Sequence, residues 1–255
     1  MKGKEIMINL RAVTTTHKIL GVLLLCITPM HLQAMDVYLG GSGGVAAFLV
    51  KQDSTYNFDR NNTTNSSALQ MTDSSSGSSA GFNGDIYAGT MVLQSDSFNA
   101  TTEINASLIL GSTSTSTLDT STNPIAPTSY ANTTYDSKVN FAFGLSFLPG
   151  FLISEKTFLY SRLGVQVSHF SATANSSGGN ELTDDISSTL LGLRLGLGAD
   201  HFISDSSFSV RVEADYWYFQ SADSNTTSST GDKLDQEFSP RFITGSLGLT
   251  YHFGS

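Results

Sequence analysis

The sequence predicts an all-β chain folded as an eight-stranded antiparallel up-and-down transmembrane β-barrel. Three observations carry that reading. Polarity alternates with period two in eight separate segments between Val37 and Phe253, the pattern of strands with one apolar face. The connections between those segments are alternately long and polar, then only a few residues. The last segment, Gly245 to Phe253, is itself such a strand, so it can pair with the first and remove both sheet edges.

Composition fits a chain that meets lipid on alternate residues only. The 255 residues suffice for one closed sheet, and the hydrophobic fraction of 39% lies below the about 45–50% of an average soluble domain. Residues 1–34 read as an export signal, leaving 35–255 as the barrel domain. Lys2, Lys4, Arg11 and Lys18 supply the basic start, Ile19 to Met30 the apolar run, and Leu32-Gln33-Ala34 the cleavage site. That run is too short to cross a bilayer as a helix. Cys26 lies within it behind Leu25, unlike a lipoprotein site, so the mature chain has no cysteine. Without the leader, nine Lys and Arg face 21 Asp and Glu, a net charge of −12. A nucleic-acid partner, which needs a basic footprint, is excluded. No metal-ligand constellation or phosphate-cradling loop is present, so neither metal nor cofactor is expected.

The first strand, Val37 to Val50, turns Val37, Leu39, Val45 and Leu49 one way and Gly40, Ser42 and Gly44 the other. Lys51 to Ser79 is polar and reads as a long loop. The second strand, Ala80 to Gln94, puts Phe82 and Ile86 outward and Asn83, Asp85 and Tyr87 inward; a short turn leads to the third, Phe98 to Gly111, with Ile104 and Leu108 outward and Glu103 and Asn105 inward. Ser112 to Asp136, interrupted by Pro124 and Pro127, is the second long loop. In the fourth strand Val139, Phe141, Phe143, Leu145 and Phe147 face out, alternating with Lys138, Asn140, Ala142, Gly144 and Ser146, and the strand ends near Pro149.

The fifth strand turns Leu159, Leu163 and Val165 out and Tyr160, Arg162 and Gln166 in; a third long loop spans Ala172 to Asp185. The sixth alternates Leu191, Leu193, Leu195 and Leu197 with Gly192, Arg194, Gly196 and Gly198. The seventh, Phe208 to Tyr218, points Arg211, Glu213, Asp215 and Trp217 inward. Ser221 to Phe238 forms the fourth long loop before the closing strand. The count is eight strands, four long outer loops and three short periplasmic turns, with both termini on the short-turn side.

On the inward faces, Asp85, Glu103, Glu213 and Asp215 meet Arg162, Arg194, Arg211 and Lys138. A barrel of eight strands is only wide enough for its own side chains, so these charges must pair. The expectation is a salt-bridge plug; a narrow ion channel is the alternative.

Ser246-x-Gly248-x-x-Tyr251-x-Phe253 resembles the terminal signal that the barrel-assembly machinery reads in bacterial outer-membrane barrels. As a pattern over residues 36–253, the chain resembles the small barrels related to the outer membrane protein A transmembrane domain, outer membrane protein X and the opacity adhesins. The resemblance implies the bacterial outer membrane as location, a monomer among lipid and lipopolysaccharide, and adhesion, host interaction or envelope integrity as role, with host-surface ligands met through the loops. His169-Phe170-Ser171, with Glu181 to orient the imidazole, is similar to the His-x-Ser arrangement of lipid A 3-O-deacylases. Ala172 stands where that family carries Asn. A base and a hydroxyl two apart on one strand face could support acyl transfer, but the expectation is a protein that is not an enzyme.

Overall fold

The computed structural model describes residues 37–58, 69–95, 97–117, 133–176, 185–204, 206–227 and 233–253. The export-signal segment, Glu181, Pro124 and Pro127 lie outside the described residues. The strands are β1 (Val37–Phe58), β2 (Leu69–Gln94), β3 (Phe98–Leu110), β4 (Ser112–Thr117) and β5 (Thr133–Ser154), then β6 (Thr157–Ser176), β7 (Ile186–Phe202), β8 (Phe208–Phe219), β9 (Ala222–Thr227) and β10 (Lys233–Phe253). Across Gly111, β4 continues the path of β3, and across Gln220 and Ser221, β9 continues that of β8. Among the described residues the ring therefore has eight members, all antiparallel, and it closes where β1 meets β10 from Val37↔Phe253 to Asn57↔Lys233. Closure gives the backbone polar groups of both terminal strands partners, which a lipid environment requires.

The surface is inverted relative to a soluble domain. Phe82, Ile86, Leu197 and Leu247 are 62–68% exposed, and exposed apolar side chains line every strand of the ring. Arg162, Arg194, Arg211, Glu103, Glu213 and Asp215 are all buried inside. Water would not tolerate an apolar belt of this extent on a monomer; a bilayer requires it. The barrel thus spans a membrane of the bacterial outer type.

Three features differ from the sequence reading. First, the strands run well past the apolar belt. The tract from Lys51 to Ser79, which reads as loop, is largely strand: β1 and β2 pair without interruption to Phe58↔Leu69, and β4, β9 and the outer ends of β5, β6 and β10 occupy other polar tracts. There the outward face is polar and the inward face mixes polar side chains such as Gln52 and Ser54 with scattered apolar ones such as Tyr135 and Phe238, so the period-two signal fades although Ser and Thr still suit a strand. Second, β5 passes through Pro149 instead of ending there; on its β6 side the pairing is interrupted between Phe147↔Leu163 and Gly150↔Tyr160, around a residue with no N–H to donate.

Third, a bulge in β5 shifts the register between Val139↔Phe170 and Ala142↔Ser168. The extra residue reverses the phase outside it. Val139 turns inward and is fully buried, whereas Lys138 and Asn140 turn outward. Lys138 is therefore not a lumen residue: the bulge buries an apolar side chain and leaves the ammonium where it is hydrated.

The interior is layered. Near the long-connection end, Phe48, Ile109, Val139, Phe170, Trp217 and Phe242 belong to one apolar cluster, with Phe48 and Phe242 stacked at 4.5 Å between ring centroids. Below it lies the charged layer, and below that a cavity at the short-turn end. Large inward side chains sit opposite glycines. In register, Tyr38 faces Gly89, Tyr87 faces Gly40, Tyr160 faces Gly198 and Asp215 faces Gly196. A Cβ on Gly89 would fall within the Tyr38 ring, and one on Gly196 against the Asp215 carboxylate. A lumen this narrow accepts bulk on one strand only where its neighbour has none.

A sealed lumen as the candidate functional site

Inward alternation brings the charged residues of β2, β3, β6, β7 and β8 to one level. Glu103 Oε1 forms an ion pair with Arg162 Nη1 at 2.6 Å, while its Oε2 accepts from Arg211 Nη1 at 2.6 Å and from the Tyr38 hydroxyl at 3.1 Å. Glu213 pairs with Arg162 through two contacts, Nε to Oε1 and Nη2 to Oε2, the latter at 2.9 Å; Tyr160 donates to it at 2.9 Å. Arg194 Nη2 reaches Asp215 at 2.7 Å and both Glu213 and Asp85 at 3.3 Å. Asp85 also accepts from the Ser107 hydroxyl, and Arg194 lies over the Trp217 ring at 4.4 Å.

Seven of the eight residues assigned to the lumen from sequence thus meet in one network, and Lys138 does not. The residue that sequence reading missed is Asp200, buried on β7 and held by Arg211 through Nε and Nη2, both at 2.9 Å. Its parity is legible in the sequence, in phase with Arg194, Gly196 and Gly198 on the same strand. The exchange alters the charge count from four against four to five carboxylates against three guanidiniums. Cross-linking of this density fixes many side chains at once, since breaking one member strands others as buried charges.

Two other groups singled out from sequence are placed as follows. In the terminal strand, Ser246 faces inward and Tyr251 and Phe253 face outward, with Gly248 half-buried between. Tyr251 makes edge contacts with Phe208 at 5.1 Å and Phe253 at 4.8 Å, an aromatic girdle at the short-turn interface. His169 and Ser171 share the outward face of β6, but the imidazole Nε2 lies 3.4 Å from Ser187 Oγ and its ring stacks on Phe141. Ser171 Oγ has no hydrogen-bond partner among the described residues. The geometry joins His169 to Ser187, across the strand, instead of to Ser171. Among the described residues no group of three or more His, Cys, Asp or Glu side chains is placed to hold a metal ion.

No protein-family model and no curated protein sequence matches this chain. Solved structures do. The outer membrane protease OmpT from Escherichia coli aligns at 10% identity and a TM-score of 0.46, covering 88% of this chain and 99% of that one. The attachment invasion locus protein Ail of Yersinia pestis aligns at 13% identity and a TM-score of 0.31, covering 82% and 99%. Neisserial surface protein A aligns at 15% and 0.33, again covering 82% and 99%. Likenesses this distant transfer no activity. The chain's own strand pairing, apolar exterior and charged interior give it the fold of a small outer-membrane β-barrel of eight strands.

Proposed function

We propose that this protein is a monomeric surface-display barrel, exported by its N-terminal segment, inserted by the barrel-assembly machinery through its terminal strand, and acting through the strands and loops beyond the lipid. Adhesion to a host surface is the reading favoured. One observation supports it most: the lumen is filled by a charged layer and an apolar layer, while β1 and β2 extend eight and more residues past Val50 as a polar ribbon. A filled lumen leaves the outer surface as the place where specificity can reside. The ribbon carries Ser74, Ser76 and Ser78 outward and is anchored to its neighbours, as where Thr115 donates to Gln52. Its setting is the lipopolysaccharide layer.

The test removes the ribbon and leaves the barrel. Replacing residues 52–75 by a two-residue turn preserves the Lys51↔Ser76 pairing. Cells displaying that variant should lose most of their binding to host surfaces while the protein keeps its heat-modifiable migration on gels. Undiminished binding by a correctly folded variant would sink the adhesion reading in favour of a role in envelope integrity.

A further inference from the structure

The outer edge of the apolar belt is ordered by charge. On β1 and on β10 the first outward residue beyond the belt is a cation, Lys51 next above Leu49 and Arg241 next above Ile243, and Lys138 stands just past the bulge on β5. The outward carboxylates of the same strands, Asp53, Glu237 and Asp136, all lie farther out. A chain of net charge −9 thus turns three exposed cations to the level at which a bilayer carries its headgroups, a level that the outward Tyr216 and Tyr218 mark as well.

Two of these cations are neighbours. Leu49 pairs with Arg241 and Lys51 with Ser239 across β1 and β10, so Lys51 and Arg241 face each other on a diagonal that long side chains bridge. The Arg241 guanidinium lies over the Tyr218 ring at 5.5 Å and, among the described residues, pairs with no carboxylate. Lys51 gives one N–H to Asp53 at 2.7 Å, in an exposed pair of little worth, and keeps two. A planar guanidinium held against a ring, beside an ammonium, suits the oxygens of a phosphate group. Directly beneath, the lipid-facing wall is hollow. Tyr216 pairs with Ile243 below Tyr218 and Arg241, and the next outward pair is Ala214 and Gly245, where a Cβ on the glycine would meet nothing within 4 Å. Leu195, Leu197, Tyr216 and Ile243 line this shallow trough. Cations at headgroup level over an apolar trough fit one amphiphile, with phosphate above and an acyl chain below; a free anion would use only the upper half.

We propose that the face formed by β8, β10 and β1 holds one phosphate-bearing lipid of the outer leaflet, independently of any adhesion through the outer surface. Its phosphate lies between Arg241 and Lys51, and one acyl chain lies in the trough over Ala214 and Gly245.

The experiment is a nuclear magnetic resonance titration of the refolded, isotope-labelled mature chain in octyl glucoside micelles, which carry neither charge nor phosphate. The probes are dihexanoyl phosphatidic acid, dihexanoyl phosphatidylcholine with the same acyl chains, and inorganic phosphate. Phosphatidic acid should shift the Lys51, Tyr218 and Arg241 amides saturably. Phosphatidylcholine should bind at least about tenfold more weakly, the scale of one hydrogen bond to a charged group, and excess inorganic phosphate should not displace the bound lipid. The Arg241→Gln variant should weaken phosphatidic acid by a similar factor while remaining heat-modifiable. Equal binding of the two lipids, displacement by inorganic phosphate, shifts that never saturate, or unchanged affinity in a folded Arg241→Gln protein would each overturn the proposal. Should that variant fail to fold, Overhauser contacts between the acyl chain and the side chains of Tyr216 and Ile243 locate the lipid in the wild type, and their absence refutes the site.

Discussion

Replacing Arg211 by methionine should destabilise the folded barrel by about 3–5 kcal/mol, the cost of leaving one partner of a buried pair behind. The structure indicates where that cost falls. Glu103 would still be held by Arg162 at 2.6 Å and by the Tyr38 hydroxyl at 3.1 Å. Asp200 would not fare so well: both its oxygens take their hydrogen bonds from Arg211 at 2.9 Å, and it is 5% exposed. The charge balance worsens too, to five carboxylates against two guanidiniums. Pairing Arg211→Met with Asp200→Leu removes the stranded carboxylate and should recover most of the loss. Urea unfolding in lipid vesicles reads this directly, because Trp217 is the only tryptophan of the chain and lies in the apolar layer against Arg194. A single-variant loss below about 1 kcal/mol, the scale of an exposed pair, would refute the reasoning, as would a double variant no more stable than the single one.

Three further outcomes follow from the same geometry. Lys138→Glu should change stability by less than about 0.5 kcal/mol, as for an ordinary surface site; a larger loss by urea unfolding would return that side chain to the lumen and remove the β5 bulge. Gly89→Val should cost about 1–3 kcal/mol by overpacking, since its side chain would displace the Tyr38 ring, and a neutral result would mean that the ring is free to move. Leu195→Arg, on the lipid face, should cost about 2–4 kcal/mol at mid-membrane depth, measured in vesicles; no cost would place β7 out of contact with lipid.

Where one face of a strand met lipid and the other the lumen, the sequence was legible. Leu191, Leu193, Leu195 and Leu197 are all exposed and Arg194 buried, as alternation required. The signal failed where that asymmetry ends. Beyond Val50 the outward face of β1 is polar, and so are Gln52 and Ser54 on its inward face, so paired strand looked like loop. A bulge leaves no mark on alternation except an abrupt reversal, and Lys138-Val139-Asn140-Phe141 shows none, alternating unbroken although Val139 is buried and Phe141 exposed. The lumen residues were identified by parity, but their partners were not: nothing in the sequence says that Arg211 faces Asp200 on β7 as well as Glu103 across the barrel. Those contacts depend on closure and on the glycines opposite each bulky side chain.

Single-channel conductance tests the account most directly. The refolded chain is incorporated into planar bilayers, with insertion verified by heat-modifiable gel migration of the same preparation. A lumen crossed by the Arg162, Arg194 and Arg211 network and capped by the Phe48–Phe242 stack predicts a silent bilayer. Large, stable current steps from inserted protein would contradict the sealed lumen and, with it, the assignment of function to the outer surface.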